Sequence, residues 1–262
     1  MLLAIDAGNT NVTLGVFRGT ELVSQWRLLT GRDKNGDEYG AEVQSLFEQN
    51  ALDLKEIEGI AICSVVPPLD EALRCMAEIY FELTPLFVDH TTDTGLKILY
   101  DSPSELGADR IVDAAAGVAK YGAPCIVVDC GTATTFNAVN AAHEYMGGVI
   151  APGIRISAEA LFSRAAKLPR VEIKRPDKVI ATSTIGAMQS GLYYGYTGLV
   201  DGVLSHMIAE LGSQPRVIAT GGLAPLIAGG SKFIEEVYHT LTLDGLRLIY
   251  ERNKSLAADQ RR

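Results

Sequence analysis

The sequence predicts an α/β protein made of two copies of one unit. Apolar strand-like runs alternate with amphipathic helical ones along its 262 residues, the pattern of a sheet covered by helices. The stretch "LAIDAGNTNVTLGVF", Leu3 to Phe17, has a second version in "CIVVDCGTATTFNAVN", Cys125 to Asn140, and an offset of 123 residues brings Asp6 onto Asp129 and Gly8 onto Gly131. Later, "RVIATGGLAP" takes the place in the second half that "GIAICSVVPP" holds in the first. Two matches in the same order point to duplication of one α/β unit.

The elements follow in order. Leu2–Asp6 and Val12–Phe17 read as a strand pair and Leu22–Leu28 as a third strand. A polar segment, Gly31–Gly40, leads into a helix at Tyr39–Ala51. "IEGIAICSVVPP" is a buried strand that Pro67 and Pro68 stop while opening the next helix. "TPLFVDH" is a shorter strand. Ser104 offers an N-cap region, and Asp109 to Lys120 carries apolar residues at helical spacing. Tyr121-Gly122-Ala123-Pro124 ends that helix and sets the expected boundary between domains 1–122 and 123–262. "YYGYTG", Tyr193–Gly198, reads as a closely packed helix, with a subunit interface preferred over a ligand pocket.

Composition narrows the function. A net charge of −9 argues against broad contact with nucleic acid or anionic membrane, which require basic faces. No apolar run approaches the roughly 18–20 residues that span a bilayer, and no basic stretch precedes the first strand, so a cytoplasmic protein is expected. Cys63, Cys75, Cys125 and Cys130 form no CxxC pair and read as thiols in a reducing compartment, three of them in apolar runs. His90, His143, His206 and His239 show no metal-site pattern.

The chemistry centres on the two turns. Glycine lets a backbone approach a phosphate closely, and turn amides form an anion nest. The first turn supplies Gly8, Asn9, Thr10 and Asn11, and the second Gly131, Thr132, Thr134 and Thr135. Either turn alone is equally an ordinary hairpin; the pair, each preceded by an Asp at a strand end, favours phosphate binding. Asp6 and Asp129 are turn formers or carboxylates for a cation such as Mg²⁺, which takes one or two carboxylates plus phosphate oxygens. Neither GxxxxGK[ST] nor GxGxxG is present. Asp109–Arg110 reads either as an exposed pair in a helix's first turn or as a base beside a carboxylate-binding fork. Asp113, one turn on, either raises the Asp109 pKa or points to solvent, and Tyr100 is by itself no more than a half-buried tyrosine at a strand end.

Two strand–Asp-x-Gly–strand turns followed by Thr220-Gly221-Gly222 resemble the actin, hexokinase and Hsp70-type superfamily. The resemblance implies two duplicated ribonuclease H-like domains with an interdomain cleft. A narrower match is carried by Asp6-Ala7-Gly8-Asn9-Thr10, Gly107-Ala108-Asp109-Arg110, Asp129-Cys130-Gly131-Thr132-Ala133-Thr134-Thr135 and Gly147-Gly148-Val149-Ile150-Ala151-Pro152-Gly153. With Thr184, Gly186 and "LTLDGL", Leu241–Leu246, these stand in the order seen in type III pantothenate kinases. That resemblance covers nearly the whole chain. It implies phosphorylation of pantothenate by ATP, the entry step of coenzyme A synthesis, with Asp109 as general base. It places ATP phosphates on Asp6, Ala7, Gly8, Asn9, Thr10, Asn11, Val12, Thr13, Gly131 and Thr132, with Gly221 and Gly222 near adenosine. It assigns pantothenate to Tyr100, Gly107, Ala108, Asp109, Arg110 and Thr184, the last from the partner subunit of a homodimer. Asp129 would hold a monovalent cation, K⁺ or NH4⁺, and Asp6 would face Mg²⁺. Other readings are a kinase of the same superfamily acting on a sugar or similar alcohol, and a non-catalytic nucleotide-binding regulator.

Overall fold

The computed structural model describes residues 1–259, so the last positions of the expected second half, 260–262, lie outside the described residues. In chain order the elements are β1 Leu2–Ala7, β2 Asn11–Arg18, β3 Glu21–Leu29, α1 Gly36–Gln49, β4 Gly59–Ser64, α2 Pro67–Phe81, β5 Leu86–Phe87 and β6 Lys97–Ile98. They continue with α3 Ala108–Tyr121, β7 Cys125–Cys130, β8 Ala133–Val139, β9 Glu144–Pro152, α4 Ile154–Arg164, α5 Thr184–Leu211, β10 Arg216–Thr220, α6 Ala224–Ala228, β11 Glu236–Val237 and α7 Leu241–Asp259. The described residues form two compact units, one of 1–96, 100–116 and 241–259, the other of 97–99 and 117–240.

The first unit holds a sheet in the order β3-β2-β1-β4-β5, with β1–β2–β3 antiparallel and β4 and β5 parallel to β1. The second holds β11-β10-β7-β8-β9, in which β7–β8–β9 are antiparallel and β10 and β11 parallel, with β6 added beside β9. The two five-strand orders are the same once β7 is set on β1. The duplication expected from the sequence is therefore present as topology.

Alternation along β1 decides what each face meets. Leu3, Ile5 and Ala7 enter a core with Tyr39, Val43 and Phe47 of α1 and Leu69, Leu73 and Met76 of α2. Leu2 and Ala4 enter another with Ala108, Val112 and Ala115 of α3 and Leu243, Leu246 and Ile249 of α7. Asp6 continues the second series, so strand parity delivers it to the α3 face. α7 approaches α3 closely because Gly245 has no side chain: a Cβ there would lie 2.7 Å from the Val112 carbonyl oxygen.

In the second unit Ile126, Val128 and Cys130 pack with Tyr196, Val200 and Leu204 of α5. The tyrosines of "YYGYTG" point inward, Tyr193 and Tyr196 being buried, whereas Gly195 and Gly198 are exposed.

Several local expectations shift. α1 starts at Gly36 because Asn35 accepts a bond from the Glu38 amide while the Glu38 carboxylate accepts one from the Asn35 amide, a capping box worth about 1 kcal/mol. Ser104 lies in a short 3-10 turn, Pro103–Glu105, and α3 begins only at Ala108. "GGVIAPG", read above only as a motif, continues β9 up to Gly153. Among the described residues no helix is long and apolar enough to cross a membrane.

Candidate active site

In the first unit, β1 and β2 are joined by Gly8-Asn9-Thr10. The turn closes on itself through the Gly8 amide, which donates to the Asn11 carbonyl at 2.9 Å. It is tied from outside by Thr30, whose amide donates to the Thr10 carbonyl at 3.1 Å and whose hydroxyl donates to the Gly8 carbonyl at 2.6 Å. Two turn carbonyls are thereby turned toward Thr30, and Asn9 and Thr10 are left exposed. Asn9 accepts at Oδ1 from Arg32 Nη2 at 3.0 Å.

Asp6 stands two residues before this turn. Sheet register sets Cys63, Asp6, Thr13 and Arg27 in one row across β4, β1, β2 and β3. The Cys63 thiol, fully buried, donates to Asp6 Oδ1 at 3.3 Å. Burial pushes the Asp6 carboxyl up to about 6, the Asp109 carboxylate adds to the rise, and the thiol bond and the Arg27 guanidinium oppose it. Asp109 itself, in the first turn of α3, is raised by burial against the pull of the Arg110 amide and guanidinium. Its Oδ1 accepts from the Arg110 amide at 2.7 Å, so the helix N-terminus steadies the charge. Gly107 leaves room beside it, since a Cβ there would lie 2.7 Å from Asp109 Oδ1.

The sequence left Asp113 facing either Asp109 or solvent. It is buried and accepts from the Thr242 hydroxyl of α7 at 2.7 Å, which joins the "LTLDGL" motif to the helix that presents Asp109. Arg110 is buried as well, and Tyr100 is half-buried ahead of the 3-10 turn.

The second unit repeats the turn with Gly131-Thr132 between β7 and β8. Here the Gly153 amide donates to the Thr132 carbonyl at 3.1 Å. Three glycines crowd this turn. A Cβ on Gly221, where φ is +93°, would meet Asp129 Oδ1 at 2.5 Å; one on Gly131 would meet Asp129 Oδ2 at 3.0 Å; one on Gly153 would meet the Thr132 carbonyl oxygen at 2.2 Å. The Thr134 hydroxyl bonds the Tyr196 hydroxyl, which also donates to the Pro152 carbonyl at 3.3 Å. Thr184 opens α5 and is exposed.

The structure thus brings Asp6, Gly8–Thr13 and Gly107–Arg110 together in the first unit, and Asp129, Gly131, Thr132 and Gly221 in the second. Sequence reasoning missed Cys63, Arg27, Thr30 and Arg32. The first two are found only through strand register, and the last two lie beyond the motif that they support. Among the described residues no group of three or more His, Cys, Asp or Glu side chains forms a metal cage. Single carboxylates at strand ends fit instead an ion that shares its shell with phosphate oxygens and water.

Solved structures define the class first. Over 97% of this chain and 99% of theirs, the fold matches a conserved protein from Campylobacter jejuni assigned to the Baf family of transcriptional activators, with a TM-score of 0.61 at 19% identity. It also matches a ROK hexokinase from Thermus thermophilus, with a TM-score of 0.50 at 12% identity over 96% of this chain and 99% of that one. The class is the actin/hexokinase-like ATPase fold. Within it, the family model for type III pantothenate kinase matches residues 2–206. A type III pantothenate kinase from Koribacter versatilis is 56% identical over 97% of both chains, and one from Halalkalibacterium halodurans is 53% identical over 97% of this chain and all of its own. The chain belongs to the type III pantothenate kinase family.

Proposed function

We propose that the protein transfers the γ-phosphoryl group of ATP to the primary hydroxyl of pantothenate, giving 4'-phosphopantothenate for coenzyme A synthesis. One observation supports the residue assignment: Asp6, just before the Gly8–Thr10 turn, continues the face of β1 that packs on α3, and Asp109 stands in the first turn of that helix. Asp109 takes the hydroxyl proton while the oxygen bonds to phosphorus, and the electron pair of the broken P–O bond leaves with ADP. A carboxyl raised by burial is a stronger base than an ordinary one when ionised.

The turns at Gly8–Asn11 and Gly131–Thr132 hold the phosphates through amides and hydroxyls, with Asp6, Ala7, Val12 and Thr13 shaping the first, and Gly221 and Gly222 lie by adenosine. Gly107, Ala108, Arg110 and Tyr100 hold pantothenate. Asp6 is the carboxylate for Mg²⁺, and Asp129 that for K⁺ or NH4⁺. The ions neutralise phosphate charge. The duplicated halves, 1–122 and 123–262, each supply one phosphate turn.

A homodimer and a cytoplasmic location complete the reading. Gly191, Gly195, Gly198 and Gly202 make an exposed strip along α5 where an added Cβ would touch nothing within 4 Å. Such a strip admits a second helix at close range, and Thr184 at the head of α5 would then serve the partner's pantothenate site.

An ATP-coupled assay with pantothenate and a panel of alcohols and hexoses, with and without K⁺, tests the reading. Pantothenate alone should be consumed, and only with a monovalent cation. Turnover of hexoses with pantothenate ignored would replace this reading with a sugar kinase, and no turnover at all would favour a regulator.

A further inference from the structure

Neither phosphate turn contains a lysine or arginine, although a triphosphate brings several negative charges to it. Three cations follow or close β3: Arg27, Arg32 and Lys34. Lys34 is committed to Glu42 at 2.5 Å. Arg27 lies on the row with Asp6 and Thr13, below the turn. Arg32 is the one that touches the turn, through Asn9 Oδ1 at 3.0 Å, and it is exposed and forms no ion pair among the described residues.

We infer that Arg32 is a further ATP-binding residue that contacts the triphosphate directly and orients Asn9 toward it. A guanidinium has five N–H donors, and the bond to Asn9 uses one. Because Arg32 occupies Asn9 Oδ1, the side-chain amide of Asn9 presents its N–H groups, not its oxygen, to whatever the turn binds; only donors suit a phosphate. The segment is held in place from both sides, by Thr30 on the Gly8 and Thr10 carbonyls and by Lys34, whose amide donates to the Gly31 carbonyl at 3.1 Å.

The repeat supplies an independent observation. Thr30 and Gly153 stand 123 residues apart, the offset that relates Asp6 to Asp129, and each donates its amide to a turn carbonyl. Arg32 and Arg155 stand at the same offset, and both are exposed. Each turn therefore has an arginine two residues after its tether, which makes that position part of the repeated plan of the turn.

This inference rests on reading Gly8–Asn11 as a phosphate turn, so its test carries a control for that reading. Steady-state kinetics with each substrate varied at a saturating level of the other would compare wild type, Arg32→Gln, Arg32→Lys and Thr10→Ala. Gln can still donate to Asn9 but carries no charge, so Arg32→Gln should raise KM for ATP about tenfold, the scale of a lost charge-assisted bond. Its KM for pantothenate and its melting temperature should stay at wild-type values, and Lys should recover part of the loss. A wild-type KM for ATP in Arg32→Gln, with Thr10→Ala impaired, would overturn the Arg32 contact alone. An Arg32→Gln protein that melts early or loses pantothenate equally would show a bracing role instead and overturn it too. If Thr10→Ala and Arg32→Gln both bound ATP normally, the phosphate-turn reading itself would fall.

Discussion

The two turns share a plan and differ in how tightly they are built. Each follows a strand whose next-to-last residue is Asp, each is tied by an amide donated from the residue after the third strand, and each has a parallel strand beside it. In the first half that parallel strand offers Cys63, whose thiol bonds Asp6; in the second it offers Thr220, followed by Gly221 against Asp129. The pairs Asp6–Thr13 and Asp129–Thr135 show that the second turn is one residue shorter. Space at the first turn is looser as well, since a Cβ on Gly8 would come only to 3.2 Å of the Asn11 carbonyl oxygen. Beside the first turn stands a carboxyl raised by burial and by the Asp109 carboxylate; at the second turn the glycines close around the carboxylate of Asp129. The first turn is the one set beside α3, and the second is the more closely packed.

The largest effect should come from Asp109, at the head of α3. Asp109→Asn keeps the volume and the amide acceptor while removing the base. We expect kcat to fall by about 10²–10⁴, with the melting temperature and circular dichroism unchanged. Full activity in that variant would remove the asymmetry of chemistry between the halves. Wild-type kcat should also decline as pH falls through the raised pKa of Asp109, because the base must be ionised.

Asp6 gives the next effect, in stability. Its carboxyl titrates at about 6 in the folded protein against an ordinary 3.8. The folded state thus holds that proton to higher pH than the unfolded chain does. No penalty exists below the ordinary value; it grows as pH rises from about 4 to about 6 and is complete above. The shift corresponds to about 3 kcal/mol. Asp6→Asn should gain roughly that amount over wild type between pH 4 and pH 7.5 in urea unfolding of the ligand-free protein, while losing activity. A stability difference that stays constant with pH would mean that Asp6 is an ordinary carboxylate.

The contrast between the turns was only partly visible in the sequence. Asp6-x-Gly8 and Asp129-x-Gly131 are local signals with a repeat offset, and both were legible. So was the helix carrying Asp109, because a 3.6-residue period lies in one segment. The row Cys63–Asp6–Thr13–Arg27 was not, since strand register is a long-range property. Thr30 was missed for a related reason: it follows an alternating strand and bonds a turn some twenty residues earlier. The Asn35–Glu38 capping box is local and would have set the start of α1. That α7 packs on the first sheet could not be read, because nothing in a terminal amphipathic helix records which sheet it covers.

Packing offers a direct way to break the comparison. Gly153→Ala would press a methyl onto the Thr132 carbonyl oxygen at 2.2 Å, with backbone that cannot swing aside. A loss of about 1–3 kcal/mol in unfolding free energy is expected. Gly8→Ala meets a single oxygen at 3.2 Å and should cost less than about 1 kcal/mol. Equal losses in the two variants would mean that the second turn is no more tightly built than the first.

The smallest effect concerns Arg155, which stands where Arg32 does but makes no hydrogen bond to its turn among the described residues. An unanchored arginine must be immobilised when it meets a phosphate, and that ordering offsets most of the attraction at an exposed site. Arg155→Ala should therefore raise KM for ATP only about two- to fivefold, as expected of an exposed ion pair. The Arg32 variant, whose side chain Asn9 already holds, should lose more. If Arg155→Ala proved the more damaging of the two, anchoring by Asn9 would not be what makes an arginine matter for ATP.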